Sequence, residues 1–375
     1  MLEARIVTAD GNIITASEFE NEDLFYAMRG GGFGFGVVIS LTVRTHPLPK
    51  YMGGVNGLVR AKNEDAGKEL FKEFLDFYKS NLIYSGWGEQ VNFGFDGQNY
   101  LLRIGMTIAN FTEQEITEAW APFATYVQSR PDDYEVGEWS IIVGDGHDFW
   151  NVDFLSQMPG FVHRSPYDPG EPNRAFFWGA NVGEISIYWM YYVSRYLRVD
   201  QFLDDTEAGM EKIATFAKKT GNFGIHFNKA QYGVSEWILQ EFDKTPMHPS
   251  IKESFGLMIQ ASGVSHYTPL VKDELQHNTS NIQDWLNGCQ GNLETCPVLD
   301  SINEALHELQ ENTPGAGSYF NEADYFELNW QDNFWGMENY ERLLLIKQKW
   351  DPQELFYCHN CIGSEDWEEG GMCKH

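Results

Sequence analysis

Backbone amides in one glycine-rich stretch are the first candidates for chemistry in this sequence. Residues 27–38 read AMRGGGFGFGVV, and five of the seven positions from Gly30 to Gly36 are glycine. Glycine in an ordered segment costs roughly 0.5–1 kcal/mol relative to alanine, so such a cluster persists where the backbone adopts a positive φ or approaches another group closely. Amides that no side chain shields can also bind an anion. The stretch therefore predicts a ligand-binding backbone, with a crossover packed under a helix as the structural alternative.

The elements on either side of the glycine stretch exclude two nucleotide-binding motifs. The preceding residues, SEFENEDLFYAMRG, predict a short helix that Ser17 and Glu20 open as a capping box and Gly30 ends. The following residues, FGVVISLTVRTHPLP, predict a long, buried strand. A P-loop and a Rossmann fingerprint place their glycines after a strand and before a helix. The order here is reversed and no Lys-Ser or Lys-Thr follows, so both motifs are excluded.

Two pairs of cysteines offer a further kind of chemistry. Cys358 and Cys361 form a Cys-x-x-Cys motif, and Cys289 and Cys296 flank the polar loop CQGNLETC. That loop predicts a surface turn closed by a disulfide. A zinc site at the Cys-x-x-Cys motif would need a second ligand pair, and only two histidines and Cys373 lie nearby in the sequence. We therefore expect a disulfide or two buried thiols there, and no metal centre.

Hydrophobic patterns predict an α+β fold that positions these groups. Asp10-Gly11 predicts a hairpin in LEARIVTADGNIITA, and Gly97 a turn between two strands in VNFGFDGQNYLLRIGMTI. Apolar residues spaced three and four apart predict helices in NEDAGKELFKEFLDFYKS and TEQEITEAWAPFATYVQ. Further strands are expected in EISIYWMYYVSRYL, NFGIHFNKAQYG and SFGLMIQASG, and further helices near 204–219, 298–311 and 339–350. The long loop at 143–175 is expected to be a lid or pocket wall.

Charge and composition limit the class of partner. The chain has 375 residues, which favours two domains, and a net charge of −29, which repels nucleic acid and acidic membrane surfaces. No apolar run approaches the ~18 residues of a membrane-spanning helix. We therefore expect a small-molecule partner, and neither nucleic acid nor membrane. Glycosylation sequons at Asn110 and Asn278 favour the secretory pathway or the extracellular space, although the first residues read as a strand and not as a signal peptide.

Two separated regions resemble one family of flavoproteins. The stretch ARIVTADGNIITASEFENEDLFYAMRGGGFGFGVVISLTVRTHPLP resembles the last part of the FAD-binding domain of berberine bridge enzyme-like proteins, within the vanillyl-alcohol oxidase superfamily. The tail from GSYFNEADYF to GSEDW is similar to their C-terminal berberine-bridge segment, in the form common in fungi. The resemblance implies a remnant of the FAD-binding domain at 1–50, a substrate domain of antiparallel sheet backed by helices at 51–315, and a C-terminal segment at 316–375 that returns to the FAD domain.

The resemblance assigns the glycine stretch to FAD. In this family the connection runs against the cofactor, with its amides near the diphosphate and the following valines near the ring system. The matching positions are Gly30, Gly31, Gly32, Gly34, Gly36 and Val37. Relatives usually carry Asn, Ser or Thr where this chain has Gly34, so one side-chain contact to flavin is expected to be absent.

The C-terminal segment supplies a candidate catalytic residue by the same resemblance. Tyr319 and Asn321 match the family's Tyr-x-Asn pattern, in which the tyrosine lies beside the flavin and in several members deprotonates a substrate hydroxyl. A free tyrosine has a pKa of about 10, so this role needs a nearby cation or the flavin itself. A buried tyrosine with a satisfied hydroxyl is the structural alternative.

A helix in the same segment carries four further residues of interest. Asn339 and Tyr340 match family positions close to the cofactor. Arg342 and Lys347 are expected to hold the helix in place, and the helix stops at Asp351 because Pro352 follows.

One element of the family does not occur in the printed sequence. In the N-terminal half of the FAD domain, relatives carry a histidine in an Arg-Ser-Gly-Gly-His-like stretch and often a cysteine, both linked covalently to the flavin. No such stretch is found here. We therefore expect a second chain or a missing N-terminal segment to complete the flavin site, because strands without partners expose unpaired edges and apolar surface.

The favoured function is FAD-linked oxidation of a small organic substrate. Hydride would pass from a carbon bearing a hydroxyl or an amine to flavin N5, and O2 would reoxidise the flavin. His226 and Lys229 are the pocket candidates in the middle region. The alternatives are a cofactor-free binding or cyclase-like relative, an inactive truncated gene product, and a carbohydrate-binding module suggested by the abundance of Trp and Tyr.

Overall fold

The first residues of the chain form a small antiparallel sheet. The computed structural model describes residues 1–156, 162–164, 176–178, 187–265, 297–325, 327–368 and 373–374. The strands of this sheet are β1 (Glu3–Val7), β2 (Ile13–Ser17) and β3 (Val37–Thr42), in the order β2-β1-β3. β1 and β2 pair across a turn in which Gly11 has a φ of 81°, so the hairpin predicted at Asp10-Gly11 is confirmed.

The predicted capping box before the glycine stretch is wrong. Helix α1 (Glu22–Met28) begins after Asn21. Ser17 still belongs to β2, where its amide donates to the carbonyl oxygen of Glu20 and its hydroxyl accepts a hydrogen bond from the amide of Phe19. A local turn therefore uses the groups that the capping box would have needed.

β3 is exposed along its whole length, although its apolar sequence predicts a buried strand. Within the described residues it pairs only with β1, so it forms an edge of the sheet. Val37, Ile39 and Leu41 are 54%, 46% and 55% exposed. Large apolar side chains on an unpaired edge mark a surface that another element can cover.

A larger antiparallel sheet follows. Its strands are β4 (Tyr51–Ala61), β5 (Gly88–Phe95), β6 (Tyr100–Ala109), β7 (Tyr134–Asp145), β10 (Ile187–Arg198), β11 (Asn222–His226) and β12 (Ser254–Ser265). The order is β10-β12-β11-β5-β6-β4-β7, and every neighbouring pair is antiparallel. Two short strands, β8 (Val162–Arg164) and β9 (Phe176–Trp178), pair with each other. Much of the loop expected at 143–175 lies outside the described residues.

Helices cover one face of this larger sheet. In β6, Leu102, Ile104 and Met106 are buried and alternate with the exposed Arg103 and Thr107. The buried face packs against α2 (Glu64–Phe77), α3 (Glu113–Gln128), α6 (Thr206–Thr220) and α8 (Pro297–Glu311). The other helices are α4 (Val152–Leu155), α5 (Val199–Phe202), α7 (Glu236–Phe242), α9 (Trp330–Trp335) and α10 (Met337–Trp350). The predicted antiparallel sheet backed by helices is confirmed, and none of the described helices could cross a bilayer.

The two ends of the chain share a second hydrophobic core. Leu24, Phe25 and Phe35 pack in one cluster with Trp335 and Leu343 of the C-terminal helices. Fully burying a side chain such as Leu or Phe contributes roughly 1.5–3 kcal/mol. This cluster holds the glycine stretch against the C-terminal segment. The region boundaries at 50 and 315 remain predictions.

Candidate functional site

A cleft of about 270 Å³ lies between the glycine stretch and the C-terminal segment. This volume is just below the range of roughly 300–1,000 Å³ that is typical of small-molecule sites. The cleft brings together four of the predicted site residues: Gly30, Gly32, Tyr319 and Asn321. The other lining residues that matter below are Phe33, Tyr196, Met247, His248, Phe320 and Trp335.

Gly30 and Gly32 line this cleft, and no side chain fits at either position. Their φ angles are 147° and 77°, in the region that favours glycine. A Cβ atom on Gly30 would lie 2.6 Å from Sδ of Met247, and one on Gly32 would lie 3.0 Å from the ring of Phe320. The glycines therefore allow the chain to pass directly under the cleft wall.

The remaining glycines of the stretch are explained by packing and do not line the cleft. A Cβ atom on Gly31 would lie 2.6 Å from the carbonyl oxygen of Ala27, and one on Gly36 would lie 2.6 Å from that of Val7. Val37 follows in the exposed strand β3. Contact of Gly31, Gly34, Gly36 and Val37 with a cofactor stays a prediction.

Lys347 fixes the glycine stretch to helix α10. Its buried ammonium donates to the carbonyl oxygen of Gly34 at 2.6 Å, to that of Phe356 at 2.7 Å and to Oδ2 of Asp351 at 2.5 Å. All three N–H groups are thus satisfied. Burial alone would raise the pKa of Asp351, but hydrogen bonds from Lys347 and from two backbone amides lower it below its ordinary value.

Asn339 and Tyr340 lie behind the cleft wall. Asn339 donates to the carbonyl oxygen of Met247 at 3.2 Å and accepts a 2.8 Å hydrogen bond from the hydroxyl of Tyr26. The guanidinium of Arg342 stacks 3.6 Å above the centre of the same Tyr26 ring. Tyr340 is buried in the second hydrophobic core. Asn339 therefore positions Met247 at the cleft, and contact of Asn339 or Tyr340 with a cofactor stays a prediction.

Tyr319 lies beside a cation and an amide donor. Nδ2 of Asn321 donates to its hydroxyl oxygen at 2.9 Å. Nζ of Lys229, a pocket candidate from the sequence, lies 5.5 Å from the centre of its ring. The same ammonium is paired with Glu322 at 2.6 Å. His226, the other pocket candidate, lies outside the lining of this cleft, on β11.

Sequence reasoning missed His248, a buried histidine at the cleft. Its Nδ1 accepts a 3.1 Å hydrogen bond from the amide of Ser250 and lies 2.8 Å from the Ser250 hydroxyl oxygen. Burial, with a smaller contribution from the positive charge of Arg195, lowers the pKa of His248 to about 4. It is therefore neutral at pH 7. No motif surrounds it, and its place follows only from tertiary packing, in which the loop after α7 brings its ring against Gly317.

A buried polar network anchors the segment that carries Tyr319. Arg195 donates to Oγ1 of Thr313 at 3.0 Å, to the carbonyl oxygen of Thr313 at 2.8 Å and to Oδ1 of Asn333 at 3.1 Å. Nδ2 of Asn333 donates to Oε1 of Glu327 at 2.7 Å, and Gln310 donates to the same oxygen at 2.8 Å. Burial raises the pKa of Glu327 to about 7.

Three of the five cysteines lie in the described part of the C-terminal segment. Cys358 and Cys361 form a disulfide, one of the two outcomes expected from the sequence, and Cys373 is free and exposed. The described residues contain no cluster of side chains suited to a metal ion. Cys289 and Cys296 lie outside the described residues.

Sequence comparisons agree with the resemblance seen at the two ends of the chain. The family described as "Berberine and berberine like" matches residues 318–363. An FAD-linked oxidoreductase of Gibberella zeae is 26% identical over 382 residues, which cover 100% of this chain and 56% of the relative. Another, from Gibberella fujikuroi, is 27% identical over 395 residues, which cover 100% of this chain and 58% of the relative. The chain thus spans little more than half the length of these relatives.

Solved structures agree in fold. The VAO-type flavoprotein MtVAO713 from Myceliophthora thermophila C1 matches with a TM-score of 0.67 and 23% identity, over 98% of this chain and 57% of that one. A glucooligosaccharide oxidase from Acremonium strictum matches with a TM-score of 0.63 and 16% identity, over 97% of this chain and 66% of that one. The chain is therefore similar in fold to VAO-type flavoproteins, carries a berberine-like segment at residues 318–363, and is similar in sequence to fungal FAD-linked oxidoreductases.

Proposed function

We propose that this protein binds FAD and oxidises a small organic substrate. The observation that carries the proposal is the meeting of Gly30 and Gly32 with Tyr319 and Asn321 in one cleft. The similarity to fungal FAD-linked oxidoreductases and the VAO-type fold support it.

The residues of the cleft fit a flavin ring. Gly30 and Gly32 contribute backbone to the lining, at positions where a side chain would meet Met247 or Phe320. Phe33, Phe320 and Trp335 supply flat apolar surface, which suits an aromatic ring system. FAD, when bound, supplies a hydride acceptor.

Tyr319 is the proposed base for the substrate hydroxyl. The hydrogen bond from Asn321 fixes the position of its phenol oxygen. The ammonium of Lys229, 5.5 Å from the ring centre, stabilises negative charge that develops on this oxygen. Glu322 pairs with the same ammonium and limits that effect.

We also propose O2 as the electron acceptor. We further propose that another polypeptide, either an N-terminal segment or a second chain, covers β3. The exposed apolar side chains of β3 support this cover, because it would remove both an unpaired edge and an apolar surface from water.

The exposed position of Asn110 supports glycosylation in the secretory pathway. Asn278 lies outside the described residues.

Visible absorption of the purified protein, read together with its intact mass, tests the proposal. We expect the absorption band of an oxidised flavin, or a rise in melting temperature when FAD is added. Colourless protein that FAD does not stabilise would favour a cofactor-free binding or cyclase-like protein instead.

A further inference from the structure

A polar cluster surrounds Gly224 on the face of the larger sheet that turns away from the helices. Phe223 and Ile225 of β11 point into the helix-covered core, so Gly224 and His226 belong to the opposite face. β5 places Asn92 opposite Gly224 and Gln90 opposite His226.

Three polar atoms border the space that Gly224 leaves open. A Cβ atom at this position would lie 3.0 Å from Oε1 of Gln90, 3.3 Å from Oδ1 of Asn92 and 3.5 Å from Nε2 of His226. The point itself lies about 1.5 Å from the Gly224 Cα, so a ligand hydroxyl would lie further out, where it would still face all three polar atoms. The absence of a side chain at 224 is therefore what makes the space available.

These side chains have unused hydrogen-bonding capacity. Within the described part of the chain, the side chains of Gln90, Asn92 and His226 make no hydrogen bond to another residue, and all three are half-buried. Burial, followed by the positive charge of Lys229, lowers the pKa of His226 to about 4. Its imidazole is neutral at pH 7 and offers one donor and one acceptor.

The cluster lies next to Tyr319 on the same face of the sheet. β12 places Leu257 opposite His226 and Ile259 opposite Gly224, and Tyr319 packs against the hydrophobic cluster that contains both residues. Neighbouring strands lie about 4.8 Å apart, so a small molecule can reach from Tyr319 to the space above Gly224.

We propose that Gln90, Asn92 and His226 form a subsite for an uncharged, hydroxyl-bearing part of the substrate. The proposal rests on the proposed function, which places the reacting group at Tyr319. None of the three side chains is a cation, and the ammonium of Lys229 is paired with Glu322. Arg103 of β6, opposite Asn92, is the charged neighbour that the carboxylate probe tests. An ammonium would find no carboxylate among the three side chains, whereas a hydroxyl can both donate and accept.

Proton NMR of the histidine ring tests the subsite without turnover. The probes are sorbitol as the polyol, and acetate and ethylammonium as charged probes; the His226 resonance is assigned by its loss in His226→Gln. We expect sorbitol to shift this resonance saturably, and Gly224→Ala and Asn92→Ala to weaken the effect at least tenfold. The matched control is Gly137→Ala on β7, where a Cβ atom would meet ordinary contacts at 3.5 Å.

Three results would overturn the subsite: no saturable shift with sorbitol, an unchanged shift in Gly224→Ala, or an equal shift with acetate or ethylammonium. Flavin absorption, measured on the same samples, reports on the proposed function separately. Sorbitol binding without flavin absorption would support the subsite and contradict FAD binding. Flavin absorption without sorbitol binding would support FAD binding and contradict the subsite.

Discussion

The ammonium of Lys347 donates a 2.6 Å hydrogen bond to the carbonyl oxygen of Gly34 and so joins two segments that are 313 residues apart in sequence. Lys347 is 2% exposed and its partner Asp351 is fully buried. The contact therefore sets the position of the glycine stretch relative to the segment that carries Tyr319.

Lys347→Met is expected to destabilise the protein by about 3–5 kcal/mol, because it leaves the carboxylate of Asp351 buried without a cation. Urea unfolding of the two proteins measures the difference. Lys349→Met is the matched control two residues further along α10. Lys349 is largely exposed and pairs with Asp23, so its loss should cost under about 1 kcal/mol. Equal losses in the two variants would contradict the role of Lys347.

Glu327→Gln is expected to change how stability depends on pH. The pKa of Glu327 rises from 4.5 to about 7 because the carboxyl is buried; the charge of Arg195 opposes this rise and that of Asp324 adds to it. The stabilisation from its bound proton is complete below about pH 4.5 and is lost as pH rises through about 7. The free energy of unfolding of the variant, relative to that of wild type, should therefore rise by on the order of 3 kcal/mol as the pH is raised from about 5 to about 8.

Two histidines change stability with pH in the opposite direction. Because both proteins contain them, the difference between the two stability curves isolates Glu327. The pKa values of His226 and His248 are lowered to about 4, so these groups reduce stability as pH falls below about 6.5. Glu304→Gln, at an exposed position on α8, is the control and should leave the curve unchanged. Parallel curves for wild type and Glu327→Gln would show that the carboxyl does not titrate in this range.

Tyr319→Phe is expected to slow flavin reduction by roughly 10²–10⁴ while FAD remains bound, because the variant lacks the group that accepts the substrate proton. Stopped-flow absorbance under anaerobic conditions measures this rate. Tyr84→Phe, at a residue that is 71% exposed, should reduce flavin at the wild-type rate. A Tyr319→Phe protein that reduces flavin as fast as wild type would assign the base to another residue.

The exposed strand β3 is expected to make the printed chain associate when it is purified alone. Replacing Ile39 and Leu41 together by Thr keeps the β-propensity and removes apolar surface, so light scattering should show a lower average mass at the same concentration. Replacing Leu345 and Leu355 together by Thr is the control, since they are 68% and 66% exposed and do not belong to β3. An equal mass in both variants would contradict an interface at β3.

Sequence patterns predicted the parts of the fold that depend on neighbouring residues. The hairpin at Asp10-Gly11 and the long helices follow from local turn chemistry and periodicity. The predicted start of α1 was wrong because a serine can form a local turn as well as a helix cap, and Ser17 forms the turn. The predicted burial of β3 was wrong because an apolar sequence does not reveal whether another element covers the strand.

The site was only partly predictable for a related reason. Glycine clustering indicated the stretch that lines the cleft, and the resemblance indicated Tyr319 and Asn321. His248 and the polar cluster at Gly224 depend on contacts between distant strands and loops, for which no local pattern exists. The bond between Lys347 and Gly34 likewise depends on tertiary packing alone.

Titration of FAD onto the purified Gly32→Ala and Gly86→Ala proteins, followed by flavin absorbance, tests the cleft most directly. Both glycines have a φ of 77°, so the two substitutions strain the backbone alike, but only a Cβ atom at 32 meets a cleft residue; none lies within 4 Å at 86. We expect wild type and Gly86→Ala to bind FAD equally and Gly32→Ala to bind at least tenfold more weakly. Equal binding by all three proteins, or no binding by wild type, would contradict a flavin site between the glycine stretch and Tyr319.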